Sequence, residues 1–203
     1  MRHFVRREIE TTIAVLQLFA EDPLLVDAVA QMGTTCGNRL AAGNKIMLAG
    51  NGGSAADSQH IAAEFVSRLA VDRHPLPAVA LTTDSSILTA VGNDYGFEQV
   101  FERQLRALGN PGDVFIGIST SGNSRNVLRA LAAARHMGVI TMGLTGEGGG
   151  GFAPLCDHLV RVPSTRTQNI QETHILIGHT ICGIAEQAFL PAALSAVAAS
   201  RSA

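Results

Sequence analysis

Charge is scarce in this chain. Asp, Glu, Lys and Arg make up 16% of its 203 residues, and the formal net charge is -2, low for a globular domain. No basic stripe runs along it, so the electrostatic footprint of a nucleic-acid binder is missing. Cys-x-x-Cys pairs are absent as well. Cys36, Cys156 and Cys182 stand far apart, which reads as reduced, buried thiols in a cytoplasm. Long apolar runs are also lacking. The stretch 175–188 is interrupted by Gly178, His179, Thr180, Gly183, Glu186 and Gln187, short of the ~20 apolar residues a membrane span needs. The first ten residues, MRHFVRREIE, are charged with no apolar run behind them, so no secretory signal is expected. These absences describe a soluble, cytoplasmic chain with neither nucleic acid nor membrane as partner. So little charge on a chain that is 46% hydrophobic also suggests that part of its face is covered in an oligomer.

The length fits one domain. Helices are expected over 4–20 and 23–42, where Ile9, Ile13, Leu16 and Ala20, and then Leu25, Val29 and Met32, recur at helical spacing. Asp22-Pro23 fits an N-cap followed by proline at the first helical position. Short apolar runs at 45–49, 78–81, 113–118, 139–144 and 158–162 read as strands, with helices at 54–69, 124–136 and 169–190. Strands alternating with helices predict a three-layer αβα sandwich around a five-stranded parallel sheet. The expected domain is 1–190, and 191–203 reads as a low-complexity tail.

In such sheets ligands bind beyond the carboxyl ends of the strands. Two of those ends are chemically rich: Gly50-Asn51-Gly52-Gly53-Ser54, and Ser119-Thr120-Ser121-Gly122-Asn123-Ser124. Each lies between a strand and a helix N-terminus, where free N–H groups and the helix dipole favour an anion. Neither contains Lys or Arg and no Walker pattern occurs, so a single phosphate fits better than a magnesium triphosphate. Ordinary Ser/Gly turns with capping serines would look similar. Residues 146–151 are expected to be a flexible connection.

His60 and Glu64 share one helix face at i, i+4. The pair suits a metal, or a carboxylate base with an orienting partner, although such pairs are common on helices. Gln171 and His179 share a broad face of the last helix. Residues 175–185 there are apolar nearly all round, which predicts burial. Together His60, Glu64, Gln171 and His179 would make a zinc-type set, labile because an amide is a weak ligand. Asn93-Asp94-Tyr95-Gly96 is either a helix–helix connection or a holder of sugar hydroxyls. Asp84 would cap a helix, and Arg68, four beyond Glu64, would pair with that carboxylate or reach substrate or a neighbouring subunit. Glu172 reads as helix surface or a capping group.

These residues resemble the sugar isomerase (SIS) domain family, and within it the phosphoheptose isomerases. The resemblance runs over about residues 8–190 and rests on five blocks in order: AGNGGSAADSQHIAAEFVSR (49–68), LTTDSSILTAVGNDYG (81–96), ISTSGNSRNVL (118–128), LTGEGGG (144–150) and NIQETHILIGHTIC (169–182). It implies a homotetramer packed by the N-terminal helices, with active sites at subunit interfaces. It also implies contacts from Asn51, Gly52 and Gly53 to the sugar phosphate, and a phosphate cradle of Ser119, Thr120, Ser121 and Ser124. Asn93, Asp94 and Gln171 would hold the substrate chain, and Glu64 would also touch it. Zinc would sit on His60, Glu64, Gln171 and His179, and Glu64 and His179 would be the acid–base pair. The family also holds paralogues that bind the replication initiator DnaA without catalysis. Those lack the carboxylate that Glu64 supplies here, so Glu64 with His179 favours the enzyme.

Overall fold

The computed structural model describes residues 1–190; the tail at 191–203 lies outside the described residues. Two long helices come first, α1 (Arg2–Glu21) and α2 (Pro23–Ala41). Asp22 separates them: its carboxylate accepts from the amides of Leu24 at 2.9 Å and Leu25 at 3.4 Å, with Pro23 at the first helical position, as the sequence predicts. Five parallel strands follow: β1 (Ile46–Gly50), β2 (Ala78–Ala80), β3 (Val114–Ile118), β4 (Ile140–Gly146) and β5 (His158–Val162). Their order is β2-β1-β3-β4-β5, with Ile46 opposite both Ala78 and Val114. The expected strand positions hold to within about two residues at either end.

Helices cover both faces. The side chains of β1 alternate between them, as a pleated strand requires. Ile46 and Leu48 join a core with α2, α3 (Gly53–Val66) and α7 (Thr167–Gln187), and Val15 and Phe19 of α1 pack onto that same side. Met47 and Ala49 join a second core with α5 (Val100–Leu108) and α6 (Arg125–His136), flanked by Leu88 and Val91 of α4 (Ser85–Asp94). β1 and β3 are buried along their whole length, which is why they read as unbroken apolar runs.

Two expectations change. α3 stops at Val66 rather than 69. The Arg73 guanidinium donates to the carbonyls of Glu64 at 2.9 Å and Phe65 at 2.8 Å, and Leu76 N–H takes Phe65 O as well. Those carbonyls are therefore satisfied from outside the helix. α7 is buried on one side only: Ile177, Ile181 and Ala185 are covered, whereas Leu176 remains 46% exposed.

Candidate active site

With the order β2-β1-β3-β4-β5, the winding direction reverses between β1 and β3. A crevice is expected there, beyond the carboxyl ends of those strands. Both glycine–hydroxyl loops flank it: 50–53 leads from β1 into α3, and 119–124 leads from β3 into α6.

The first loop turns on Gly52, at φ +57° and N-cap of α3, a left-handed conformation that glycine adopts without strain. Among the described residues, the amides of Gly52 and Gly53 donate to nothing, while Ser54 N–H bonds Asn51 O at 3.0 Å. In the second loop, Ser119 Oγ lies 2.9 Å from Ser124 Oγ and 3.4 Å from Ser121 Oγ. Ser124, the N-cap of α6, makes no side-chain bond to its own helix. The amides of Thr120, Ser121 and Arg125 are also without partners among the described residues. A hydroxyl cluster over free helix-terminal N–H groups suits one phosphate dianion.

The two loops are tied together. Asn51 Nδ2 donates to Asn126 Oδ1 and Asn126 Nδ2 donates to Asn51 Oδ1, each at 2.9 Å. Residues 146–151 are not the slack connection expected. Gly151 N–H bonds Gly122 O at 2.9 Å, Gly146 N–H bonds Thr120 O at 3.0 Å, and Gly122, Gly149 and Gly150 all have positive φ. A Cβ at Gly122 would collide with the carbonyl of Gly149. Backbone packed on backbone is what excludes side chains here, and a flexible linker would show no such interlock.

α3 and α7 together carry a polar group. One ligand atom each from His60, Glu64 and His179 lies within 4.8 Å of the others. His60 Nε2 stands 2.9 Å from His179 Nε2 and 3.4 Å from Glu64 Oε1. The first distance is a hydrogen bond in which one ring donates and the other accepts. Two imidazoles on one tetrahedral zinc sit ~3.3 Å apart, so a few tenths of an ångström would admit an ion. Two nitrogens and a carboxylate oxygen are a donor set that suits zinc. Gln171, also on α7, lays its amide against Gly53, where a Cβ would collide with it. It therefore bridges from α7 to the first loop.

Other expected residues stand apart. Asn93 and Asp94 end α4, exposed, with Asn93 Nδ2 donating to Asp94 Oδ1 at 2.8 Å. No hydrogen bond within the described residues joins them to the loops. They connect α4 through Tyr95, Gly96 and a 3₁₀ turn to α5. Asp84 caps α4 by accepting from Ile87 N–H at 2.9 Å. Arg68 lies past the end of α3 and forms no ion pair with Glu64 among the described residues. Glu172 is not a capping group; it accepts from Thr12 of α1 at 2.8 Å and from Asn169 at 3.2 Å.

Three residues escaped the sequence reading. Asn126 sits within the third block, two residues past Ser124, and nothing in its spacing marks it. Asp57 lies one turn before His60, where helical spacing alone would have found it. Its Oδ2 is buried without a partner, and burial raises its pKa against the opposing pull of His60. His174 is buried, and Nε2 faces the Thr145 carbonyl at 3.1 Å, so that nitrogen carries the proton. Burial pushes its pKa down to about 4, with the Thr145 bond opposing.

A parallel α/β sheet with two glycine–hydroxyl loops at its switch point, and a His/Glu/His group on the neighbouring helices α3 and α7, fits an α/β domain that binds a phosphate-bearing ligand. The SIS domain family model matches residues 12–146. Phosphoheptose isomerase from Aneurinibacillus thermoaerophilus is 53% identical over 188 residues, covering 93% of this chain and 95% of that protein. The phosphoheptose isomerase of Nitratidesulfovibrio vulgaris (strain DSM 19637 / Miyazaki F) is 60% identical over 160 residues, 79% of this chain and 77% of that one. The solved structure of phosphoheptose isomerase GmhA from Neisseria gonorrhoeae superposes with a TM-score of 0.85 at 44% identity, covering 91% of this chain and 98% of that one. The chain belongs to the SIS domain family and, within it, to the phosphoheptose isomerases.

Proposed function

We propose that this chain interconverts sedoheptulose 7-phosphate and D-glycero-D-manno-heptose 7-phosphate through an enediol. The reaction would be the first step toward nucleotide-activated heptose for lipopolysaccharide or capsule. The observation that carries the proposal is the meeting of His60, Glu64 and His179 within 4.8 Å, on two helices that flank the crevice. Membership among the phosphoheptose isomerases supplies the substrate.

In this reading the phosphate lies against the hydroxyls of Ser119, Thr120, Ser121 and Ser124 and the amides of Asn51, Gly52 and Gly53. Asn93, Asp94 and Gln171 hold the sugar chain. Isomerisation takes a proton from C1 of the ketose and returns one to C2, while O2 gains a proton and O1 loses one. Glu64 takes the C1 proton and delivers it to C2 on the same face. His179 gives a proton to O2 and receives the one from O1, a task suited to imidazole. The arrangement keeps one base for carbon and another for oxygen. A zinc ion held by His60, Glu64, Gln171 and His179 would organise the site and stabilise negative charge developing on the oxygens, with Glu64 and His179 released from it when they act on protons.

A homotetramer completes the proposal, with residues 1–190 of each chain as one SIS domain. It is supported by an uncovered apolar stripe on α1, where Val5 is 56%, Ile9 55% and Ile13 48% exposed. Patches of that kind mark interaction surfaces. A cytoplasmic location is supported by the thiols: Cys36 and Cys182 are buried and free, and burial pushes Cys36 up to about 12. No helix of the described residues is long and apolar enough to cross a membrane.

Proton NMR of the purified protein with sedoheptulose 7-phosphate in D₂O, with and without added zinc, tests the assignment. Aldose signals are expected, with deuterium at C2 to the extent that the proton on Glu64 exchanges with solvent before its return. Persistent ketose from a folded protein under both conditions would refute it.

A further inference from the structure

We propose that Asn126 is a positioning residue whose amide locks the β1–α3 loop to the head of α6, holding both walls of the phosphate crevice at a fixed spacing. The two walls come from different strands, and each turns on a glycine with positive φ, Gly52 and Gly122. Beyond the pairing of Gly50 with Ile118, no backbone hydrogen bond joins the two turns among the described residues. The link between them is the reciprocal pair in which Asn51 and Asn126 each donate and each accept at 2.9 Å. Such a pair suits two carboxamides, which carry donor and acceptor on separate atoms, whereas a carboxylate cannot donate.

The orientation of the Asn126 amide is fixed independently. Its Oδ1 also accepts from Val127 N–H at 3.0 Å, so the oxygen side is the one facing the head of α6. Asn126 is only 3% exposed; its Oδ1 accepts two hydrogen bonds and its Nδ2 donates one. A hydrogen bond made in that setting is worth keeping, because an unpaired buried amide is destabilising. The Asn51 carboxamide commits one hydrogen and one oxygen lone pair to Asn126. This inference rests on the isomerase reading only for its kinetic readout.

The test measures inorganic phosphate affinity by calorimetry, and KM and kcat with sedoheptulose 7-phosphate, for Asn126→Ala, Asn51→Ala and the double variant. Removing two hydrogen bonds that align the walls should weaken phosphate binding and raise KM by roughly 10-fold, with kcat changing far less. Because the pair acts as a unit, each single variant should match the double. Phosphate affinity within two-fold of wild type in Asn126→Ala would overturn the proposal, as would single effects that multiply in the double, or a wild type that binds no phosphate. If Asn126→Ala does not fold, Asn51→Ala breaks the same pair from the less buried side and gives the same reading. A wild type that binds phosphate but does not isomerise the heptulose sinks the isomerase reading alone, and the titration still decides the role of Asn126.

Discussion

Arg73→Ala should destabilise the protein by about 3–5 kcal/mol, the range for breaking a buried ion pair from one side. Arg73 and Glu186 have side chains only 4% and 3% exposed, with Nε 3.0 Å from Glu186 Oε1. The Nε–H is not aimed at that oxygen, so the contact is ionic, and the directed bonds lie elsewhere. The guanidinium Nη atoms donate to the carbonyls of Glu64, Phe65 and His74. Glu186 accepts from the amides of Leu69 at 3.0 Å and Ala70 at 3.1 Å. Truncating Arg73 leaves a buried carboxylate with two backbone donors and no counter-charge, and it removes a donor from the Glu64 carbonyl, while Phe65 O keeps Leu76 N–H. For a domain of this size each kcal/mol shifts Tm by about 2–4 °C, so a fall of roughly 6–20 °C is expected. Urea unfolding at fixed protomer concentration measures it, since oligomerisation couples stability to concentration. Arg73→Met with Glu186→Leu removes both charges at similar volume and should recover much of the loss. A loss below about 1 kcal/mol in Arg73→Ala would refute the reasoning, as would a double variant no better than the single.

Glu64→Gln keeps the size of the side chain and removes the base; kcat should fall by about 10²–10⁴ with unfolding unchanged within roughly 1 kcal/mol, and near-normal turnover would remove Glu64 from that role. His174 makes the fold acid-sensitive. Its folded pKa of about 4 lies below the ordinary imidazole value, so the unfolded chain binds the proton first. Stability from this group is complete above about pH 6.5 and falls as pH drops toward 4, by about 3 kcal/mol in all. The loss should be absent in His174→Gln, and equal acid slopes in the two proteins would refute the assignment. Gly122→Ala forces a side chain into φ +65° and against Gly149; it should cost at least about 1 kcal/mol from the backbone alone and weaken phosphate binding, checked by thermal unfolding and calorimetry.

The sheet, helices α1, α2, α3, α6 and α7 and both loops were legible because each leaves a local signature. Buried parallel strands read as apolar runs, Asp22-Pro23 reads as a helix start, and glycines with hydroxyls read as strand-to-helix junctions. The His60/Glu64 pair was legible from helical spacing alone. The end of α3 was not: residues 67–69 continue a plausible helix, and the termination comes from Arg73 bonding backward and Glu186 reaching across from α7. The run 146–151 was misread for a similar reason. Glycine repeats look slack until Gly122 is seen packed against Gly149 and Gly150.

What depends on neighbours along the chain, namely strand and helix periods, caps and the chemistry of each loop, follows from residue order, because those forces act over a few residues. The approach of His179 to His60 spans 119 positions, and that of Asn126 to Asn51 spans 75. Only the packing of α7 on α3, and of β3 beside β1, brings those groups together. Residue order names the donors, and the sheet order β2-β1-β3-β4-β5 decides which of them share a crevice.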